Sequence, residues 1–87
     1  MVHSVALVED DAQVRRRLES ALKNHTELEI LGSLGSCAEA RDLLSKRLPD
    51  VMLIDLGLPD GNGLDLIREI SAHSPSVRIL VITVFGD

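Results

Sequence analysis

The sequence predicts an α/β fold, a doubly wound parallel sheet with the element order βαβαβαβ. Two observations support this prediction. Short continuous apolar runs, typical of strands that are covered on both faces, alternate with segments whose apolar residues recur at helical spacing. The connections between these segments are short, and such alternation implies parallel strands joined by right-handed crossovers, with helices on both faces of the sheet.

The first strand and helix are predicted from a change of period. Residues 5–8 form an apolar run that ends abruptly at three acids, Glu9, Asp10 and Asp11. Over residues 12–24 the apolar residues recur instead at i, i+4, i+7 and i+8, as Val14, Leu18, Ala21 and Leu22. This spacing places them on one face of an amphipathic helix, for which Asp11 is a suitable N-cap.

The second strand and helix are predicted from the next segment. Residues 28–31 contain three aliphatic residues and one glutamate, which indicates a more exposed strand at an edge of the sheet. Ser36, followed three residues later by Glu39, forms a capping-box pattern that opens a helix. The helix ends before Pro49, and its apolar residues are Cys37, Ala40, Leu43 and Leu44.

Two strands with a helix between them complete the order. Residues 51–54 are an apolar run that ends at Asp55 and is followed by a glycine- and proline-rich loop, residues 57–63. The third helix ends before Pro75 and is marked by Leu64, Ile67 and Ile70. Residues 77–84 are the most apolar strand of all.

The composition suits one small globular domain, because 45% of the 87 residues are hydrophobic and 26% are charged. With a single aromatic residue, the core must be aliphatic, and the composition argues against stacking on nucleic-acid bases as a function. The net charge of −5 also argues against nucleic-acid binding by these residues. Cys37 is the only cysteine, so no disulfide can form within the chain. Without a signal-like start or a long apolar stretch, we expect a cytoplasmic protein that does not bind membranes.

Acidic residues follow the first and third strands, and their positions predict a cation site. In an open sheet of the flavodoxin-like order 2-1-3-4-5, ligands bind beyond the carboxyl ends of the strands, where the strand order reverses. The first and third strands are neighbours there, so Glu9, Asp10 and Asp55 should share one cleft. Repulsion between carboxylates disfavours this arrangement unless a cation joins them or some are protonated. Mg²⁺ fits best, because the chain has no Cys/His set for a softer metal.

Thr83 adds a hydroxyl at the carboxyl end of the fourth strand. A divalent ion, a carboxylate and a hydroxyl on adjacent strand ends suit phosphoryl transfer, with Asp55 as the nucleophile that becomes an aspartyl phosphate. Simpler interpretations stay open for the same residues. Asp10 could cap the first helix, Asp55 could cap its own loop, and Thr83 could be an ordinary β-branched strand residue.

Three segments, ALVEDD, PDVMLIDLGLPDGNGLDLI and RILVITVFGD, resemble the receiver domain of two-component response regulators. The resemblance runs from Ser4 to Asp87 and is strongest to receivers that precede LuxR-type helix-turn-helix DNA-binding domains. It implies the flavodoxin-like (βα)5 receiver fold. Residues 1–87 would then form an incomplete receiver domain, truncated to βαβαβαβ, in which the fourth helix, the fifth strand and the fifth helix are absent.

The resemblance also implies a role for each site residue. Asp55 would be the phosphoacceptor, and the phosphoryl group would come from a phosphohistidine on a sensor histidine kinase. Asp10 would bind Mg²⁺ directly, Glu9 mainly through water, and Gly57 through its main-chain carbonyl. Thr83 would be the switch hydroxyl that turns toward the phosphoryl group. The implied output is control of transcription, with DNA bound only by a separate output domain.

The family carries a lysine after its fifth strand, where it pairs with the phosphoryl oxygens, and this chain has no match for it. Lys23 and Lys46 belong to the first and second helices. An alternative is therefore an interaction or dimerisation module whose phosphorylation is impaired. The apolar fourth strand would be an exposed edge. We expect either further residues beyond Asp87 in the natural protein or self-association through this strand.

A third hypothesis is a phosphatase of similar topology that uses an aspartate nucleophile. Such enzymes need a second acid two residues after the nucleophile, where this chain has Gly57. We therefore favour a signalling domain over an enzyme. The first helix leaves one further choice open, because Arg15, Arg16 and Arg17 fan around it as either a solvated face or a docking site for the kinase.

Overall fold

The computed structural model describes residues 1–82, which form one four-stranded sheet and three helices. The elements in chain order are β1 (His3–Val8), α1 (Ala12–Lys23), β2 (Leu28–Leu34), α2 (Cys37–Lys46), β3 (Val51–Asp55), α3 (Gly63–His73) and β4 (Arg78–Ile82). The predicted order βαβαβαβ is confirmed. Thr83, a predicted site residue, lies outside the described residues. Within residues 1–82, no helix has both the length and the apolar character needed to cross a membrane.

The strands are ordered β2-β1-β3-β4 and every neighbouring pair is parallel. This is the predicted flavodoxin-like order, with the reversal between β1 and β3. Val8, the last residue of β1, pairs with Ile54 of β3, and Asp55 pairs with Ile82 of β4. The last residues described in β1, β3 and β4 therefore lie side by side, all on the carboxyl-terminal side of the sheet.

The second strand lies at an edge as predicted, but it is longer than the apolar pattern indicates. β2 continues to Leu34, because its main chain goes on pairing with β1 after the aliphatic residues end. The register shifts once, since Val5 pairs with Ile30 whereas Ala6 pairs with Gly32. Such a bulge interrupts the alternation of side chains, which explains why a period-two pattern did not reveal the full strand.

The core lies mainly between the sheet and the pair α2 and α3. It is a cluster of buried residues from both helices, from alternate positions of β1 and β3, and from the loops: Ala6, Val8, Cys37, Ala40, Met52, Ile54, Leu58, Leu66, Ile70 and Val77. Val5 and Leu7 are also buried, and the alternation of a strand directs them to the opposite face. That face is the one on which α1 packs, against β1 and β2. The sheet is therefore covered on both sides, as a doubly wound fold requires.

Side chains satisfy the main-chain N–H groups at the start of the first two helices. Asp11 caps α1 as predicted, accepting hydrogen bonds from two N–H groups of the first turn at 2.9 and 3.2 Å. Ser36 caps α2 through the N–H of Glu39 at 3.2 Å. The carboxylate of Glu39 accepts from the N–H of Gly35 at 3.0 Å. In the capping box predicted from the sequence, this carboxylate would instead accept from the N–H of the cap residue, Ser36.

β4 forms the other edge of the sheet within residues 1–82. Two of its aliphatic side chains are strongly exposed, Leu80 at 58% and Val81 at 48%. The prediction that the fourth strand is an apolar edge is confirmed for this part of the chain. Its predicted start at Val77 differs by one residue from the observed start at Arg78.

Candidate metal centre

Three acids meet where β1 and β3 end. Because Val8 and Ile54 are paired neighbours, the residues that follow them, Glu9 and Asp55, leave the sheet side by side. Each of Glu9, Asp10 and Asp55 offers a carboxylate oxygen, and these oxygens all lie within 4.8 Å of one another. The structure thus brings together the three carboxylates that the sequence predicted to share a cleft. Their individual roles stay predictions.

The three acids differ sharply in their exposure to solvent. Glu9 is only 2% exposed, whereas Asp10 is exposed and Asp55 is half-buried. Burial, followed by the neighbouring carboxyl of Asp55 and the charge of Asp10, raises the pKa of Glu9 to about 7. A metal-free site therefore relieves part of its repulsion by protonating Glu9.

One oxygen of Glu9 is left unsatisfied. Within residues 1–82, Oε2 of Glu9 is buried and has no hydrogen-bond partner. A buried polar atom without a partner costs free energy, and a cation or its bound water would supply the partner. The donor set consists of carboxylate oxygens, without sulfur or imidazole, which is the set that a hard cation such as Mg²⁺ prefers. The residues present therefore fit a magnesium site.

The loop that follows Asp55 stays close to its carboxylate. The N–H of Gly57 donates to Oδ1 of Asp55 at 3.3 Å, so the main chain of Gly57 lies beside the acid. This position is compatible with the predicted use of the Gly57 carbonyl as a metal ligand, which stays a prediction. Gly63 closes the loop, since its N–H donates to the carbonyl of Leu56 at 3.2 Å.

Asp60 anchors the same loop to a different helix, and the sequence analysis missed it. Its two carboxylate oxygens accept hydrogen bonds from the N–H groups of Cys37 at 2.8 Å and Ala38 at 3.0 Å, at the start of α2. These main-chain donors hold the pKa of Asp60 below its usual range. No local pattern could reveal this contact, because it joins residues 23 positions apart in the chain.

Cys37, which was predicted to be a core residue, is buried at 1% exposure beside the same loop. Burial, reinforced by the nearby Asp60, raises the pKa of its thiol. Asn62 caps α3 by accepting from the N–H of Leu64 at 2.9 Å. The sequence analysis missed this cap, although an asparagine two residues before an apolar helical pattern is the usual signal for one.

The three consecutive arginines of α1 do not have a common environment. Arg16 and Arg17 are exposed, as expected of a solvated face, whereas Arg15 is partly buried. Nη1 of Arg15 donates to the main-chain carbonyl of Glu9 at 2.7 Å. The interpretation of all three as one solvated face is therefore wrong for Arg15, whose side chain contacts the main chain of Glu9 in the candidate metal centre.

Comparisons with known proteins cover the whole segment that carries these residues. A family model described as the response regulator receiver domain matches residues 5–87. The DNA-binding transcriptional activator DevR/DosR of Mycobacterium tuberculosis is 41% identical over 81 residues, which are 93% of this chain and 37% of the activator. Protein-glutamate methylesterase/protein-glutamine glutaminase 1 of Rhizobium johnstonii is 32% identical over 80 residues, 92% of this chain and 23% of that enzyme. The chain thus spans less than half the length of either relative.

A solved structure agrees with the observed architecture. RcsB from Salmonella enterica serovar Typhimurium, bound to the promoter rprA in the presence of phosphomimetic BeF3⁻, superposes with a TM-score of 0.88 at 25% sequence identity. The match covers 98% of this chain and 72% of RcsB. The predicted fold class is therefore confirmed by an independent structure as well as by the strand order.

Proposed function

Because the chain belongs to the response regulator receiver domain family, we propose that it is the phosphoacceptor module of a two-component system. In this proposal, Asp55 accepts a phosphoryl group from a phosphohistidine on a sensor histidine kinase. The observation that supports it most directly is the convergence of Glu9 and Asp10 on the carboxylate of Asp55, within 4.8 Å. This arrangement of acids suits metal-assisted phosphoryl transfer.

The chemistry asked of Asp55 is a nucleophilic displacement at phosphorus. A carboxylate oxygen of Asp55 forms a bond to phosphorus while the bond from phosphorus to the kinase imidazole nitrogen breaks, and its electron pair leaves with the nitrogen. Asp55 is half-buried at the end of β3, so it is held by the sheet and still reachable by a donor. The hydrogen bond from Gly57 N–H restrains the carboxylate further.

We propose that the ion is Mg²⁺, held by the carboxylates of Glu9, Asp10 and Asp55 and by the carbonyl of Gly57. Asp10 would bind directly and Glu9 mainly through water. When bound, Mg²⁺ supplies the positive charge that offsets repulsion among the acids and the oxygens of an incoming phosphoryl group. The unpartnered Oε2 of Glu9 supports this proposal, since bound water would give that oxygen a donor.

The response to phosphorylation is proposed to involve Thr83 and a separate output domain. Thr83 follows Ile82, which pairs with Asp55 in the sheet, and we assign it the role of switch hydroxyl. The relative DevR/DosR is a DNA-binding transcriptional activator, and we propose control of transcription as the output here too. These residues would take no direct part in DNA binding, and the exchange with the kinase would take place in the cytoplasm.

Phosphorylation by a small donor tests this function without the unidentified kinase. The purified chain is incubated with acetyl phosphate, with and without Mg²⁺, and its intact mass is measured. We expect the mass of one phosphoryl group to be added only in the presence of Mg²⁺. Asp55→Asn should stay unmodified. Asp65→Asn, which removes an exposed acid of α3, should be modified like the wild type.

Two outcomes would contradict the proposal. One is a folded wild-type chain that gains no phosphoryl group at any Mg²⁺ concentration. The other is modification of Asp55→Asn to the extent seen in the wild type, because the nucleophile would then lie elsewhere.

A second candidate function, an interaction module, is favoured by one observation, the exposure of Leu80 and Val81 on β4. An exposed apolar edge strand tends to pair with another chain, and the occupant proposed here is a second copy of this chain. Sedimentation should then show a dimer without phosphorylation, which Leu80→Lys converts to a monomer. Leu64→Lys, at a residue of α3 that is 45% exposed, should leave the dimer intact. A wild-type monomer across the accessible concentrations would exclude this function.

A further inference from the structure

We propose that Arg15 is a positioning residue for the candidate metal centre, acting through the main-chain carbonyl of Glu9. This inference rests on the function proposed above and deepens it. The guanidinium of Arg15 donates from Nη1 to the Glu9 carbonyl oxygen at 2.7 Å, in a partly buried environment. A hydrogen bond from a charged donor at this distance is among the stronger kinds found in proteins.

The Glu9 carbonyl is a sensitive point of the site because of what its peptide unit joins. The peptide is planar, and it links the Cα of Glu9 to the Cα of Asp10, the two residues whose acids face Asp55. On its other side Glu9 is fixed by the sheet, since its N–H donates to the carbonyl of Leu34 at 2.9 Å. With both bonds in place, the directions in which the two acidic side chains leave the main chain are restrained.

Without Arg15, the chain after Glu9 would have fewer restraints. β1 ends at Val8, Asp10 is exposed, and the next fixed point is the helix cap at Asp11. The peptide between Glu9 and Asp10 therefore lies in the connection between β1 and α1, outside the hydrogen bonds of the sheet and of the helix. Arg15 belongs to the first turns of α1, so its contact ties the rigid helix to this crossing.

The guanidinium also packs against the connection between β2 and α2. A Cβ atom placed on Gly35 would lie 3.1 Å from Nη1 and 3.9 Å from Cζ of Arg15. The guanidinium therefore lies against a position where the chain carries no side chain. Arg15 belongs to α1 and contacts both the end of β1 and the loop after β2, so it links three segments. This distinguishes it from Arg16 and Arg17, which are exposed.

Two consequences follow for binding of a cation. The restraint reduces the conformational freedom that the acids must lose when they bind an ion, which should increase affinity. Partners of ligands commonly change metal affinity by about 10- to 100-fold when they are removed. A general electrostatic effect of positive charge on α1 would instead be shared by Arg16, one residue away.

The test compares two variants that remove the same charge from the same helix. Isothermal titration of the chain with MgCl₂ measures the dissociation constant of wild type, Arg15→Gln and Arg16→Gln. We expect Arg15→Gln to weaken Mg²⁺ binding about tenfold and Arg16→Gln to change it by less than about twofold. Equal dissociation constants for the two variants would overturn the proposal.

A second measurement needs neither metal nor phosphorylation. The amide N–H of Asp10 belongs to the same peptide as the Glu9 carbonyl, so its NMR chemical shift reports the hydrogen bond from Arg15. In EDTA this resonance should move in Arg15→Gln and stay in place in Arg16→Gln. If Arg15→Gln does not fold, Arg15→Met takes its place, since methionine keeps a long aliphatic side chain but has no N–H group to donate. An unmoved Asp10 resonance and unchanged Mg²⁺ affinity in that variant would overturn the proposal.

Labelling with acetyl phosphate separates positioning from chemistry. Arg15→Gln should need about tenfold more Mg²⁺ for half-maximal labelling, while saturating Mg²⁺ restores the wild-type rate. Loss of labelling even at saturating Mg²⁺ would contradict a role through the metal. The two proposals fail separately. A wild type that binds Mg²⁺ but is never labelled contradicts the proposed function, whereas labelled variants with identical Mg²⁺ dependence contradict only the role of Arg15.

Discussion

Gly63, the first residue of α3, lies directly against the main chain of Asp55. A Cβ atom built on Gly63 would be 2.6 Å from the carbonyl oxygen of Asp55 and 2.7 Å from the Cα of Leu56. Within residues 1–82 no glycine has a positive φ. The requirement at this position is therefore space rather than an unusual backbone conformation. The start of α3 therefore packs against the proposed phosphoacceptor segment with no room for a side chain between them.

Gly63→Ala should separate these two segments. The added methyl group meets main-chain atoms that cannot rotate away, so we expect the free energy of unfolding to fall by about 1–3 kcal/mol. Labelling of Asp55 by acetyl phosphate should slow as well. Urea unfolding measures the stability, with Gly57→Ala as the control, because a Cβ there would have an ordinary 3.9 Å contact with Oδ2 of Asp55. Equal losses of stability in both variants would contradict this explanation.

Asp60 should stabilise the protein in a pH-dependent way. Its pKa is lowered in the folded state by the N–H groups of Cys37 and Ala38. A carboxyl with a depressed pKa stabilises the fold above its ordinary pKa, and this contribution is lost as the pH falls through the folded value. Asp60→Asn should therefore lower the melting temperature by about 2–5 °C at pH 7, and the difference from wild type should shrink below about pH 4.

The control for this prediction is Asp42→Asn. Asp42 is also exposed and pairs with Lys46 at 3.1 Å on the surface of α2, and such pairs contribute little. A melting-temperature difference for Asp60→Asn that is constant from pH 7 to pH 3 would contradict this prediction. It would show that the negative charge of Asp60 does not contribute to its contact with the start of α2.

Glu9 should make the metal-free protein less stable as the pH rises. Its pKa is raised to about 7 in the folded state, so above its ordinary pKa the unfolded chain releases this proton more readily than the folded chain does. In EDTA the free energy of unfolding should fall by about 2–3 kcal/mol between pH 5 and pH 8 because of this group. Urea unfolding of wild type and Glu9→Gln across this range isolates the contribution.

The glutamine keeps the shape of the side chain and has no charge to bury, so the fall assigned to Glu9 should be absent from that variant. Mg²⁺ should also reduce the fall in the wild type, because binding to the folded state stabilises it. Parallel pH profiles for wild type and Glu9→Gln in EDTA would contradict the assignment.

Two leucines of α3, two positions apart, should respond very differently to truncation. Leu66 is fully buried between α3 and the sheet, whereas Leu64 is 45% exposed. Leu66→Ala should lower the free energy of unfolding by about 2–5 kcal/mol through lost burial and the cavity left behind. Leu64→Ala should change it by about 1 kcal/mol or less. Circular dichroism during urea unfolding measures both, and similar values would show that the buried face of α3 is assigned incorrectly.

Local patterns were sufficient to predict the elements and the three acids of the site. Glu9 and Asp55 each follow an apolar run, and the alternation of strands and helices orders those runs in a parallel sheet. In the flavodoxin-like order β1 and β3 are neighbours, so acids that follow these two strands are expected to meet. The cap at Asp11 was predictable for a similar reason, because its bonds reach only two and three residues along the chain.

The contacts made by Arg15, Asp60 and Gly63 could not be predicted in this way. Arg15 resembles its two neighbours in sequence and differs from them only in burial. Asp60 looks like an ordinary loop acid until α2 is placed beside it. Gly63 resembles the other glycines of its loop, and only the distance to the main chain of Asp55 reveals that a side chain would not fit.

The sequence by itself determined the fold class and the order of the elements, because these depend on local periodicity and on general rules of connection. The place where three carboxylates gather followed once the flavodoxin-like strand order was adopted. Only the tertiary structure decided which of those carboxylates is buried with a raised pKa, and which residues hold the backbone around them. Burial, a raised pKa and a contact across the chain depend on atoms brought together from several elements. Their distances are set by packing rather than by neighbouring residues.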